Sequence, residues 1–383
     1  MQIACSNSSG ENPAHQLLMT NPGIHIITND AISLLQQLIA IPSLSKEEDQ
    51  TAGCIATFLT ERSIPFSRIL NNVWACNKFF DATKPTILLN SHHDTVAANA
   101  GYTRNPLKPA IEEGKLFGLG STDAGASLVS LLATFIHFYS EENLGYNLLF
   151  AASAEEETSG ENGVVKLFAN EAFLSHLQHP GSFAIVGEPT QMQLAIAEKG
   201  LLVIDCVAHG KAGHAARNEG ENAIYKALEA VQWFRSHQFE KISPVLGEVK
   251  MTVTSFNTAN KAHNVIPVQC SFVVDIRVTE LYSHEEILAT IAKHVNVDVV
   301  PRSTRLRSSS ISIDHPVVKA GIRLGKETYG SPTTSDKALM PISSLKCGPG
   351  FSGQSHSADE FVAIEDIENG IKFYVELLEG LRV

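Results

Sequence analysis

Apolar residues along the chain recur with two different periods, and the two alternate. Short runs of β-branched and aliphatic residues, at Val73–Cys76, Thr86–Leu89, Leu148–Ser153 and Phe183–Val186, read as strands. Their near-continuous hydrophobicity is that of strands covered on both faces. Between them lie stretches whose apolar positions return every three or four residues. Asn29-Asp30 can cap a helix bearing Ile32, Leu35, Leu38 and Ile39 on one face. Ser45 with Glu48 has the spacing of a capping box and predicts a second helix running toward Arg62. The glycine-rich segment Gly118–Gly125 leads into an apolar helix from Ala126 to about Tyr139, and another helix is expected over Val164–Asn170. Strands alternating with helices predict an α/β fold, a mostly parallel sheet flanked by helices.

After Glu188 the pattern changes. Leu201–Ala208 reads as a strand, Asn222–His237 as a helix, Val249–Phe256 and Cys270–Val278 as strands, and Ser283–Val295 as a helix. That order is that of an α+β ferredoxin-like unit. The α/β style then resumes, with a helix over Pro316–Tyr329, a strand at Ser343–Lys346 and a closing helix at Ile364–Leu378. The chain therefore divides into a catalytic part, 23–195 with 304–383, and an inserted part, 196–303. Residues 1–22 are expected to form a poorly ordered leader.

Composition narrows the function. A length of 383 residues exceeds what one hydrophobic core usually serves. The formal net charge of −12 disfavours nucleic acid and anionic membranes, which need a basic face. No run reaches the roughly 18 apolar residues of a membrane span. The leader lacks the regions of a signal peptide, so a cytoplasmic location is expected. Cys5, Cys54, Cys76, Cys206, Cys270 and Cys347 are scattered, without a Cys-x-x-Cys pair. Free thiols fit better than a disulfide framework or a cysteine-built zinc site.

The chemistry gathers where strands end. The strand Thr86–Leu89 runs into His92, His93 and Asp94. Alternation along extended chain puts His92 and Asp94 on one face, a metal-binding imidazole beside a carboxylate that can orient it. Asp123 stands before a helix, Glu155-Glu156-Glu157 follows one strand, Glu188 another, and His356 precedes the last helix. His92, Asp123, Glu156 and Glu188 are spaced by roughly 32 residues, about one βα unit. Taken singly, each has an ordinary reading: an N-cap, a solvated acidic loop, a turn residue, a surface histidine. Together they supply two imidazoles and three carboxylates, a donor set that suits two divalent ions (zinc, cobalt or manganese) sharing one bridging carboxylate. There is no Gly-x-Ser-x-Gly elbow. Gly118-x-Gly120 is neither a dinucleotide fingerprint nor a Walker loop.

His92-His-Asp94, Gly120-Ser-Thr-Asp123, Ala154-Glu-Glu-Glu157-Thr158, Gly187-Glu-Pro-Thr190 and Gln354-Ser-His356 resemble the successive metal-site motifs of the acetylornithine deacetylase and succinyl-diaminopimelate desuccinylase family of co-catalytic zinc enzymes. The resemblance spans roughly residues 30 to 380 and is closest to the acetylornithine deacetylase branch. It implies that His92 and Glu188 hold one metal, Glu157 and His356 the second, and Asp123 bridges them. Asp94 would orient His92, and Glu156 would be the general base. The Glu triplet leaves a one-residue ambiguity; Glu155 is aligned with the family's usual aspartate. Ala124 departs from the pattern, since relatives often carry Met-Lys after the bridging aspartate. In the inserted part, Gly210-Lys-Ala-Gly-His214 resembles a motif that reaches the partner subunit's active site in a homodimer, where His214 would bind the oxyanion. Asn264 and Arg277 match positions that hold a substrate α-carboxylate, and Thr334 and Ser335 are further candidates for substrate contact.

What the resemblance implies is removal of an N-acyl group, acetyl by default, from an amino acid such as ornithine or citrulline in arginine biosynthesis. Removal of a succinyl group, as from succinyl-diaminopimelate, is an alternative, but it would need an extra cation that the sequence does not locate. Di- or tripeptidase or carboxypeptidase action is another. A binding protein without turnover would lack a ligand or the base, and none is lacking.

Overall fold

The computed structural model describes residues 22–217 and 219–382. In chain order its first part contributes α1 (Pro22–Ile39), α2 (Asp49–Glu61), β1 (Ser67–Ile69), β2 (Asn72–Cys76), β3 (Thr86–His92), β4 (Ala110–Glu112), β5 (Lys115–Phe117), α3 (Ala126–Phe138), β6 (Asn147–Ser153), α4 (Val164–Phe168), α5 (Glu171–Ser175), β7 (Phe183–Val186) and β8 (Leu194–Glu198). Then come β9 (Gly200–His209), α6 (Ala223–Ser236), β10 (Lys250–Asn257), β11 (Gln269–Val278), α7 (His284–His294) and β12 (Asp298–Pro301). The chain closes with β13 (Ser309–Ser310), α8 (Pro316–Arg323), β14 (Thr328–Ser331), β15 (Ser344–Lys346), β16 (Phe361–Ala363) and α9 (Ile364–Glu379).

The aliphatic runs pair into one sheet, ordered β1-β2-β6-β3-β7-β15-β8-β13, with β14 beside β8. Its middle is parallel: β3 lies between β6 and β7, and β15 lies on the other side of β7. Every residue of β3 and β6 is buried, as continuous hydrophobicity predicts. One face is covered by α1, α3 and α9, where Leu34, Leu35, Leu128, Phe135, Tyr374 and Leu378 meet Ile87, Leu89 and Phe150. Burying one such side chain is worth about 1.5–3 kcal/mol, so this layer dominates the stability of the part that carries the chemistry. The opposite face packs Leu88, Leu149 and Ala184 against Leu167, Phe173 and Leu177.

The inserted segment forms its own antiparallel sheet, ordered β10-β11-β9-β12, with a separate core of Ile204, Phe234, Phe272, Val274, Ile276 and Ile287. That strand order is the ferredoxin-like one. The chain leaves the main sheet at Lys199, between β8 and β9, and rejoins it at β13.

Four local expectations are corrected. The first helix starts at Pro22, so Asn29 and Asp30 lie inside it, and Asp30 pairs with Arg62 instead of capping. Ser45 and Glu48 make no capping box: Glu48 gives no side-chain cap, because both side chains are drawn into tertiary contacts described below. The helix expected over Val164–Asn170 forms but stops at Phe168, since Asn170 caps α5 by accepting the Phe173 amide. The helix expected over Pro316–Tyr329 stops at Arg323; Gly325 takes φ +82 and the chain turns into β14, parallel to β8.

The leader falls outside the described residues apart from Pro22. Cys54, Cys76, Cys206, Cys270 and Cys347 are free thiols. No helix among the described residues is long and apolar enough to cross a membrane.

Candidate metal centre

Strand register brings the acids together. His92 ends β3 level with Ser153 of β6, and Asn90 lies level with Val186 of β7. The loops that leave β6 and β7 therefore release Glu156 and Glu188 on either side of His92, at the carboxyl edge where ligands of open α/β sheets collect. The Asp123 loop is drawn to the same edge by Glu360. The Glu360 carboxylate accepts the backbone amides of Gly120, Thr122 and Asp123 at 2.9, 2.8 and 3.0 Å. Gly120 sits at φ +73, which its missing side chain permits.

Two sets of donor atoms result, and they share one residue. His92, Asp123 and Glu188 form one; Asp123, Glu157 and His356 form the other; within each, one donor atom per residue lies within 4.8 Å of the others. His92 Nε2 stands 3.2 Å from Asp123 Oδ1 and 3.8 Å from Glu188 Oε1. His356 Nε2 stands 3.0 Å from Glu157 Oε2 and 3.6 Å from Asp123 Oδ2. The two oxygens of Asp123 thus face opposite histidines.

Asp94 organises the back of the site. His92 Nδ1 lies 3.0 Å from the Asp94 carbonyl and 3.3 Å from its carboxylate; a proton there leaves Nε2 free to bind a cation. The Asp94 carboxylate also accepts the Ser45 hydroxyl at 2.7 Å and the amides of Glu156 and Glu157, each at 3.1 Å. Glu48 accepts the Glu155 amide at 3.1 Å and the Asn71 side chain at 2.8 Å. The residues that could have capped a helix hold the acidic loop instead.

The three carboxylates of the Glu triplet point in different directions. Glu155, at φ +55, turns its carboxylate onto Asn162, while Glu156 Oε2 lies 3.9 Å from His92 Nε2 and Glu157 meets His356. His93 is structural: it is buried, with its ring nitrogens on Thr51 and the Asn71 carbonyl.

Electrostatics state what the site is short of. Burial, with the neighbouring carboxylates, raises Glu156 well above the ordinary range, and burial raises Glu188 to about 8. Burial opposes a charged imidazole at His92, yet Glu156, Asp123 and Asp94 outweigh it and raise its pKa well above the usual value. Acids this crowded and this poorly hydrated need positive charge beside them. Oxygen and imidazole donors in two sets with one shared carboxylate fit a pair of divalent cations. His92 with Glu188 and Glu157 with His356 would hold them, on either side of Asp123. Bound there, such ions supply Lewis acidity to a substrate carbonyl and bring the pKa of water toward about 7.

Beside these ligands opens a cavity of about 340 Å³ lined by Asp123, Glu156, Glu157, Glu188, His356, Lys346 and the segment from Ser331 to Thr334. Thr334 is thus in the wall. Ser335 is not: it is buried, and its amide and hydroxyl donate to Glu198. His214, Asn264 and Arg277 do not line the cavity either. His214 and Asn264 are exposed on the inserted part, and Arg277 is held by Asp275 at 2.8 Å. Two residues escaped the sequence reading. Glu360 gave no signal, because its role is to accept backbone amides. Lys346 did leave one, a lysine interrupting the apolar run Ser-Leu-Lys-Cys at the end of a buried strand.

A binuclear-capable site at the carboxyl edge of a mixed α/β sheet, with an antiparallel domain inserted beside it, defines a metallo-hydrolase architecture. A family profile described as peptidase family M20/M25/M40 matches residues 88–380, and the chain belongs to that family. Among curated relatives, a succinyl-diaminopimelate desuccinylase of Cereibacter sphaeroides is 24% identical over 378 residues, covering 91% of this chain and 98% of the relative. The enzyme of that name from Wolbachia pipientis is 24% identical, covering 92% and 93%. The fold is shared with an M20-family metallo-carboxypeptidase from Sulfolobus solfataricus, at TM-score 0.71 and 16% identity over 91% of this chain and 98% of the other. It is also shared with a dinuclear metal-binding M20 peptidase from Bacillus subtilis, at TM-score 0.66 and 16% identity over 92% and 98%.

Proposed function

We propose that this chain hydrolyses the amide bond of an N-acyl amino acid, of the N-acetyl- or N-succinyl-ornithine or -citrulline type, in arginine biosynthesis in the cytoplasm. The observation that carries this reading is Glu156. Both donor sets are complete without it, yet it lies against His92 in the same cavity. A carboxylate left over at a metal pair is what amide hydrolysis requires, because the amine leaves well only when protonated. Glu156 takes the proton of the attacking water and returns it to the departing nitrogen. Asp94 keeps Nδ1 of His92 protonated and the acidic loop in place. Zinc is the proposed ion, with cobalt or manganese able to replace it.

Relatives named succinyl-diaminopimelate desuccinylases match nearly the whole chain, which supports a deacylase, while the peptidases that share the fold keep exopeptidase action as the alternative. The test is a rate comparison, with added zinc or cobalt, of acetyl- and succinyl-ornithine and -citrulline against di- and tripeptides. Acyl amino acids are expected to exceed peptides by about 100-fold or more in kcat/KM, at least the margin that pocket fit alone gives. Peptides turned over equally well would replace this reading with an exopeptidase.

The proposal extends to a homodimer in which His214 completes the partner's site. Its support is that His214 is exposed and outside its own chain's cavity, and that Phe256, Val265 and Val268 are exposed on the same inserted part. Asn264 and Arg277 are assigned the substrate α-carboxylate, and Thr334 a place in the substrate wall. His214→Ala is expected to be nearly inactive, and mixing it with Glu156→Gln to restore activity through hybrid dimers that contain one intact site. Absence of recovery after subunit exchange would separate His214 from the chemistry.

A further inference from the structure

Lys346 is the last residue of β15, level with Val186 of β7, so it emerges at the same sheet edge as Glu188 and one strand further along. Its side chain is 5% exposed, and it is the only lysine or arginine among the described residues lining the cavity. Nζ donates to Thr333 Oγ1 at 3.1 Å and lies 3.7 Å from Glu198 Oε2. Glu198 is itself fully buried and already accepts the Ser335 amide and hydroxyl. A second lysine, Lys337, is buried with Nζ on the Ala195 carbonyl, three residues before Glu198 in β8. Lys346 thus has buried acids beside it, Glu198 at 3.7 Å and Glu188 close enough to stabilise its charge, and it also borders the cavity.

Burying an ammonium costs several kcal/mol unless the charge has a partner; Glu198 meets that need from behind, and because Lys346 also borders the cavity its charge is open to a second anion there. The wall around it is rich in hydroxyls, from Tyr329, Ser331, Thr333 and Thr334, beside Pro189 and Pro332. A pocket for acetyl alone would be expected to be small and apolar. Ornithine and citrulline carry no second carboxylate, and the α-carboxylate is assigned to Asn264 and Arg277 of the inserted part, so the remaining anion belongs to the acyl group.

We infer that Lys346, with Thr333, binds the terminal carboxylate of a dicarboxylic acyl group, making succinyl-type amides the preferred substrates. This rests on the deacylase reading above and supplies the cation that reading lacked. Lys346 is here a specificity-determining residue.

The experiment has two arms on the full chain loaded with zinc. In the first, kcat/KM is measured for the succinyl and acetyl forms of the same amino acid. Wild type is expected to favour succinyl, and Lys346→Met to lower the succinyl-to-acetyl ratio by about 10- to 100-fold, mainly through KM, as loss of a charge-assisted contact does. Lys346→Arg should recover part of it. In the second arm, calorimetry compares succinate with acetate as ligands; wild type is expected to bind succinate more tightly, and Lys346→Met to lose the difference. A wild type that prefers acetyl substrates overturns the proposal. So does a variant that loses both substrates equally, which would move the contact to the α-carboxylate. Equal binding of succinate and acetate overturns it even if no acyl amino acid is turned over, so failure of the subsite is distinguishable from failure of the deacylase reading. Should Lys346→Met unfold because Glu198 is left unpaired, the pair Lys346→Met with Glu198→Gln removes that acid, and the same ratio is read on it.

Discussion

Glu156→Gln is expected to lower kcat by about 10³-fold while metal content stays at the wild-type level. The substitution keeps the size and polarity of the side chain and removes its ability to carry a proton. Neither donor set uses Glu156, so the cations retain their ligands. The amide at position 156 still donates to Asp94, and the loop keeps its shape. Metal analysis beside single-turnover kinetics checks both halves of the expectation. A near-normal rate with full metal would remove Glu156 from its role, and loss of metal would make it a ligand.

Asp123→Ala is expected to have the larger effect, emptying both metal positions and lowering turnover by more than about 10³-fold. Asp123 is the one residue common to both sets, and its two oxygens face His92 and His356 respectively. Glu188→Ala, by contrast, removes a donor from a single set and is expected to cost one ion per chain. Equilibrium dialysis followed by metal analysis distinguishes two ions lost from one. The Asp123 variant should remain folded, because Glu360 grips the backbone amides of that loop and not the aspartate side chain. An Asp123→Ala protein that keeps both ions would show that the site does not depend on a shared carboxylate.

Much of the fold was legible because burial on both faces writes itself as uninterrupted aliphatic runs. Leu148–Ser153 and Phe183–Val186 became β6 and β7 nearly to the residue, and Thr86–Leu89 became β3, which runs three residues further, to His92. The ferredoxin-like order of the insertion was legible for a related reason, since β9 and β11 alternate between buried and half-exposed positions. Where expectations failed, tertiary partners outbid local preferences. Ser45 prefers the Asp94 carboxylate to a helix amide, and Glu48 prefers the Glu155 loop, because both bonds form at buried positions where an unmet acceptor costs more than a frayed helix end. The helix expected beyond Arg323 gave way to β14 because the open edge of β8 could take another strand.

Sequence alone determined which residue types would stand at the strand ends: the period of apolar runs places His92, Asp123, Glu156, Glu188 and His356 after them, and side-chain chemistry restricts what they can bind. Only the tertiary structure decided how those positions face one another. Strand order is a long-range property, and it put β6 and β7 on either side of β3, turned Glu155 away and Glu157 inward, and brought Lys346 to the edge of the same cavity. Local propensity carries no record of which strand will be the neighbour; that is settled by burying all the runs in one sheet at once.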